Sequence, residues 1–166
     1  MDTSNLQRIL DLSFDQALLY HGYTDYMRDY ELIIHCSASP ATGIPSTHER
    51  LLFKNVVAAN VSTSIPPLVW GKSLDDRLIN YESGVELDGY VWGVKWQNLY
   101  PGARVISDSD EASKWEAHLG VQFHEVRIET NAQNIDLVFS ELSSEQISTG
   151  YSPFTVSPDD NGPEFK

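Results

Sequence analysis

Two segments near the carboxyl end alternate apolar and polar side chains, and they constrain the fold more than any other part of the sequence. The first is VQFHEVRIET (121–130) and the second is IDLVFSEL (135–142), with the turn-prone NAQN between them. Successive side chains of a strand point to opposite faces of a sheet, so each segment has one apolar face. Two such segments joined by a short turn predict an antiparallel hairpin with one buried face.

Five further segments carry strand signals, namely β-branched or aromatic residues between turn-forming residues. They cover residues 16–23, 30–36, 51–64, 89–99 and 104–106. The first two flank a polar stretch and predict a hairpin. The third predicts one long strand or a bent one, with a bulge or irregularity at 58–60. Most connections between the segments are too short for helical crossovers, so we expect largely antiparallel pairing.

Helical spacing is confined to short stretches. Residues 5–12 carry leucine and isoleucine at i, i+3 and i+4, and they predict a helix. Residues 108–119 have the clearest boundaries, since Asp108 or Ser109 can cap the helix and Gly120 can end it. The segment that follows Pro66-Pro67, up to Leu87, predicts a short helix or an excursion off the sheet.

These elements predict a β-rich α+β fold. We expect a predominantly antiparallel twisted sheet or a two-layer sandwich, with one or two short helices against it. A chain of 166 residues that is 41% hydrophobic can bury one core. Residues 1–150 are therefore predicted to form a single β-rich domain. Residues 151–166 hold three of the eight prolines and the run DDNG, and they predict an acidic tail.

The charge of the chain is strongly negative and unevenly distributed. Of the 24 acids and 11 bases, which give a net charge of −13, residues 107–166 hold 12 acids and only 3 bases. Such a surface opposes binding to nucleic acid and to anionic membranes, and it favours a basic protein partner. The candidate binding residues on the capped helix are its four acids, Asp108, Asp110, Glu111 and Glu116.

The sequence also predicts a cytoplasmic location. The start, MDTSNLQRIL, lacks the basic and apolar regions of a signal peptide, and no run approaches the roughly 20 apolar residues of a spanning helix. The single Cys36 excludes an internal disulfide framework and any zinc site built from several cysteines, and it suits a reducing compartment.

No motif names a reaction or a cofactor. The five histidines form no HExxH, HxH or i, i+4 pair, and GxSxG and glycine-rich phosphate loops are absent. We therefore expect no cofactor and no metal. One enzymatic alternative is a hydrolase whose site forms only in space. It requires a cleft where at least two residues of a small set converge: His21, His35, His48 and Glu125.

The aromatic residues suggest a second kind of site. The segment GYVWGVKWQNLYPG contains Tyr90, Trp92, Trp96 and Tyr100. On an open sheet face these rings can stack on a carbohydrate or another small molecule, or anchor a protein partner. The competing interpretation places the Trp92 face of the strand in the core.

The order of these segments resembles a known family. The early hairpin, LLFKNVVAANVS, the tryptophan segment and FHEVRIETNAQNIDLVFSEL follow one another as in small acidic bacterial proteins of the YxiG-like kind. The resemblance covers residues 14–142. Related small sheet proteins occur beside polymorphic toxins and are suspected immunity proteins, so the resemblance implies a protein-binding role. It carries over no functional residue.

The leading hypothesis is a non-enzymatic interaction module that neutralises a basic toxin domain through its acidic surface. Charge complementarity would accelerate the encounter, and aromatic anchors would supply most of the affinity. The carbohydrate-binding module and the hydrolase remain the alternatives.

Overall fold

The computed structural model describes residues 2–24, 27–38, 40–72 and 96–152. Over these residues nine strands and three α-helices follow one another along the chain. The helices are α1 (Thr3–Asp11), α2 (Pro67–Lys72) and α3 (Asp110–Leu119). The strands are β1 (Ala17–Tyr23), β2 (Tyr30–Cys36), β3 (Thr47–Lys54), β4 (Ala58–Thr63), β5 (Gln97–Asn98), β6 (Gly102–Ile106), β7 (His124–Glu129), β8 (Gln133–Phe139) and β9 (Glu141–Ile147).

The strands form two antiparallel sheets that pack face to face. Sheet A has the order β5-β1-β2-β3-β9, and sheet B has the order β4-β8-β7-β6. Their inner faces and the apolar side of α1 share one core, which confirms the β-rich α+β class and the two-layer sandwich. The most deeply buried apolar residues include Leu6, Leu10, Leu32, Ile34, Phe53, Ile128, Ile135, Leu137 and Phe139.

Both predicted hairpins are present. β1 pairs with β2, and β7 pairs with β8. The second turn lies earlier than the NAQN segment suggests, because β8 already begins at Gln133. The hydroxyl of Thr130 accepts hydrogen bonds from the backbone N–H groups of Ala132 and Gln133 at 3.1 and 2.8 Å, and these bonds close a tight turn.

The predicted strand over 51–64 is bent so sharply that its halves lie in different sheets. The change of direction occurs at Asn55, where the backbone adopts φ 52°, rather than at the predicted residues 58–60. Asparagine tolerates this left-handed conformation better than most residues. Its side-chain amide donates to the Ser140 hydroxyl at 2.7 Å. The predicted IDLVFSEL strand changes sheets at Ser140, whose N–H donates to the Lys54 carbonyl at 3.0 Å.

The result is a continuous bent ribbon. β3 pairs with β9 in sheet A, and β4 pairs with β8 in sheet B, so two long stretches of chain cross between the layers side by side. The sequence did not predict β9 as a separate strand, because Leu142 is its only buried residue. An edge strand that faces solvent needs no alternating apolar pattern.

The two predicted helices are present, and their ends agree with the sequence to within two residues. α1 begins at Thr3, two residues before the predicted start, and Leu6 and Leu10 are buried as expected. Ser109 caps α3, since its hydroxyl accepts from the Ala112 N–H at 3.0 Å. Asp108 precedes the cap with φ 54°, and Gly120 ends the helix with φ 66°.

The described residues contain three α-helices where one or two were expected, because α2 occupies the start of the undecided segment. The predicted strand over 89–99 lies mostly outside the described residues, and only β5 represents it. Tyr90 and Trp92 also lie outside. The tail is described only to residue 152.

Candidate functional site

α3 lies on the outer face of sheet B and carries most of the predicted acidic residues. Ala112 and Trp115 of α3 pack against Phe123 and Val138 of the sheet layer. The Ser109 hydroxyl, which caps the helix, also donates to the Glu125 carboxylate on β7. The first turn of α3 is therefore held against the sheet, and the acids of that turn have a defined position.

A depression of about 550 Å³ lies between α3 and the outer face of sheet B. We call it the acidic groove. Three carboxylates line it, Glu111 from α3, Glu125 from β7 and Asp136 from β8, together with Tyr23 and Asn60. Glu125 also lines a second depression, of about 410 Å³, which includes Asp108 and Glu116. The acids of the helix and of the sheet therefore face one connected surface.

Part of this negative charge is compensated locally. Arg127 donates to both carboxylate oxygens of Asp136, at 2.7 and 3.1 Å, and these hydrogen bonds raise the pKa of the arginine. Glu111 accepts from the Trp115 indole N–H at 3.0 Å and lies 3.5 Å from the Lys114 ammonium.

Three further acids of this surface have no such compensation. Within the part of the chain that the structure describes, no cation lies within ion-pair distance of Asp108, Asp110 or Glu116. The surface around α3 therefore keeps an excess of negative charge.

An apolar recess of about 500 Å³ adjoins the acidic groove. Val57 lines both, and Phe123 links the recess to the second depression. Leu119 and Val121, where α3 ends, are 56% and 51% exposed at the rim of this recess. Exposed apolar residues beside a charged groove are typical of surfaces that bind other proteins.

The structure places three of the four predicted acids, Asp108, Glu111 and Glu116, around the two depressions, whereas Asp110 is exposed on α3 and lines neither. It also adds residues that the sequence analysis did not assign to a binding surface. Glu125 and Asp136 belong to the same surface, and Leu119 and Val121 form its apolar rim. The alternation within the closing hairpin contained a signal for Glu125 and Asp136, since both occupy outward positions. No sequence signal placed that outer face under α3. The role of all these residues in binding stays a prediction.

The predicted aromatic face is described only in part. Trp96 is 46% exposed and Tyr100 is 59% exposed. Tyr100 contacts Phe14, with ring centroids 5.9 Å apart. Because Tyr90 and Trp92 lie outside the described residues, the carbohydrate-binding hypothesis stays a prediction.

Two of the four residues proposed for a hydrolase site converge. The His35 and His48 rings lie in contact on the outer face of sheet A, whereas Glu125 lies on the outer face of sheet B. Among residues 2–24, 27–38, 40–72 and 96–152, no carboxylate hydrogen-bonds to either ring of this pair. The structure also gives no support for Cys36 as a nucleophile. Burial, and to a smaller extent the nearby Glu49, raise the pKa of its thiol, which disfavours the reactive thiolate.

His21 instead connects the two sheets. Its Nδ1 lies 2.7 Å from the Tyr30 hydroxyl, and its Nε2 lies 2.9 Å from Oε1 of Gln133 in sheet B. Since a carbonyl oxygen only accepts, Nε2 carries the proton and Nδ1 accepts from Tyr30. Burial lowers the pKa of His21, and burial also raises the pKa of Tyr30 to about 12.

This environment predicts a stability that falls in mild acid. The pKa of the His21 imidazole is about 6.5 in the unfolded chain and lower in the folded protein. Just below that pH the unfolded chain binds a proton that the folded chain does not, so the free energy of unfolding decreases as the pH falls. We expect His21→Gln to flatten the change in urea-unfolding free energy between about pH 7.5 and pH 5.5. If the unfolding free energy of this variant changed with pH as steeply as that of the original protein, groups other than His21 would cause the pH dependence.

A comparison with protein families returned a match. The family model described as YxiG-like protein matches residues 2–157, nearly the whole chain. The chain belongs to the YxiG-like family. No curated protein matches it. In the described residues of this YxiG-like protein, no helix has both the length and the apolar character needed to cross a bilayer.

Proposed function

We propose that this YxiG-like protein is a non-enzymatic interaction module that binds a basic protein through the surface around α3. Its role would be of the immunity type, in which the module neutralises a basic toxin domain in the cytoplasm. One observation supports this most strongly: the acidic groove joins directly to an exposed apolar recess.

The two parts of this surface would contribute differently to binding. The acids would steer a basic partner and accelerate association, with an effect that declines as salt screens the charges. Leu119 and Val121 would lose water on contact and slow dissociation, since buried apolar anchors supply most of the affinity of such interfaces. A basic partner with an apolar residue beside its charges fits both requirements.

The proposal is tested by titration calorimetry and by association kinetics against a panel of basic toxin domains. We expect Asp110→Asn combined with Glu116→Gln to slow association about tenfold at low salt, because two steering charges are removed. Leu119→Ser should instead accelerate dissociation by about tenfold, the effect of losing an anchor of about 1.4 kcal/mol.

A matched control removes the same charge elsewhere. Asp11→Asn combined with Asp15→Asn neutralises two exposed carboxylates at the carboxyl end of α1, outside the depressions around α3, and its association rate should stay close to that of the original protein. Equal slowing by the two charge variants would show that only net charge matters. Absence of binding at any salt concentration would refute the proposal.

A further inference from the structure

Two histidines face each other on the outer face of sheet A, on the opposite side of the molecule from the surface proposed to bind protein. His35 of β2 and His48 of β3 are direct partners in the antiparallel register. Nδ1 of His35 lies 3.3 Å from Nε2 of His48, and the ring planes are tilted by 54°. Both side chains are only partly buried, so the pair is accessible to solvent.

The separation of these two nitrogens has a specific chemical meaning. Zinc binds imidazole nitrogen at about 2.0–2.1 Å, and two such bonds at a tetrahedral angle place the nitrogens about 3.3–3.4 Å apart. The observed 3.3 Å therefore equals the distance that a tetrahedral metal ion requires between two ligands. Because paired strands hold both residues, little backbone movement is needed to accept the ion.

A cavity lies beside one member of the pair. His48 lines this cavity of about 180 Å³ together with Leu19, Ile33, Ile147 and residues 148–151. The Tyr151 hydroxyl donates to the buried Glu31 carboxylate at 2.9 Å, and this bond fixes one wall of the cavity. In the described ranges no third His, Cys, Asp or Glu completes a metal-binding group, so water would fill the open positions.

We propose that His35 and His48 form an open two-histidine site for a divalent transition metal of the zinc type. The metal binds between Nδ1 of His35 and Nε2 of His48. Both nitrogens must then present lone pairs, so the proton that they share in the metal-free protein moves to the far nitrogen of the same ring. No net proton is released when a neutral pair binds the ion. Imidazole ligands favour zinc, copper and nickel over magnesium or calcium.

Zinc titration against four proteins tests this site. The original protein, His35→Gln, His48→Gln and the control His118→Gln are titrated with Zn²⁺ in competition with a chromogenic chelator. Excess Mg²⁺ occupies sites made of carboxylates alone. His118 lies on α3, away from the pair, so its loss should leave zinc affinity unchanged.

The expected result is a weakening of zinc binding in both variants of the pair. Loss of a group that only hydrogen-bonds to a metal ligand weakens metal affinity by about 10- to 100-fold. Loss of one of the two ligands themselves should weaken zinc affinity by at least about that factor. Combining the two substitutions should add little, because either one already removes the chelate. Equal zinc affinity in all four proteins would overturn the proposal.

A measurement on the original protein avoids dependence on the folding of the variants. Ring nitrogen NMR signals are recorded as Zn²⁺ is added. We expect the signals of His35 and His48 to move together, and those of His21, His118 and His124 to stay in place. Movement confined to His118 or His124 would exclude the site, as would the absence of any shift.

Discussion

Arg50→Met should destabilise the protein by about 3–5 kcal/mol, since it leaves a buried carboxylate without its cation. Glu31 is fully buried, and its Oε2 accepts from the Arg50 Nε at 2.6 Å. The same guanidinium donates to Glu145 at 2.9 Å. Burial alone would lower the pKa of Arg50, but the hydrogen bonds to Glu145 and Glu31 raise it. The arginine therefore stays charged, and urea unfolding measures its loss.

Two matched variants test this explanation. Arg127→Met breaks a similar pair with Asp136, but both of those side chains are partly exposed, so its cost should stay near about 0–1 kcal/mol. Adding Glu31→Gln to Arg50→Met removes the buried charge and should restore part of the stability. If Arg50→Met costs no more than Arg127→Met, the Glu31 carboxylate is not isolated from water.

Phe139→Ala should destabilise the fold by about 3–5 kcal/mol, the usual cost of removing a buried aromatic ring. Phe139 ends β8 in sheet B and meets Phe53 of sheet A, with ring centroids 4.9 Å apart and planes at 84°. Both rings are fully buried, and the contact joins the two layers beside the bent ribbon. Thermal and urea unfolding would both report the loss.

The control for this prediction is a phenylalanine at the surface. Phe14 is 51% exposed, and its ring contacts that of Tyr100 at the surface. Phe14→Ala should therefore cost about 1 kcal/mol or less. Similar costs for Phe14→Ala and Phe139→Ala would mean that the contact between the two sheets contributes little to stability.

Local patterns predicted most of the fold. Alternation in β2, β7 and β8 gave both hairpins, and the Ser109 and Gly120 signals gave the boundaries of α3. The change of sheet at Asn55 and Ser140 could not be predicted in the same way. It depends on a side-chain hydrogen bond between residues 85 positions apart, and nothing local marks that contact.

The candidate surface was also predicted in part from local patterns, and the rest of it depends on contacts between distant residues. The four acids of α3 follow from the helix boundaries, since all lie in or next to that element. Glu125, Asp136 and the apolar rim join them only because α3 packs on the outer face of sheet B. The histidine pair arises from the register of β2 and β3, which depends on the length of the loop between them.

The most direct test of the proposed function is to map the binding surface by backbone amide NMR. A basic toxin domain is titrated into the isotope-labelled protein at low and at high salt. We predict shifts along α3, at Glu125 and over residues 119–121, with weaker binding at high salt. Shifts confined to the outer face of sheet A or to Trp96 and Tyr100, or no shifts at either salt concentration, would contradict this account.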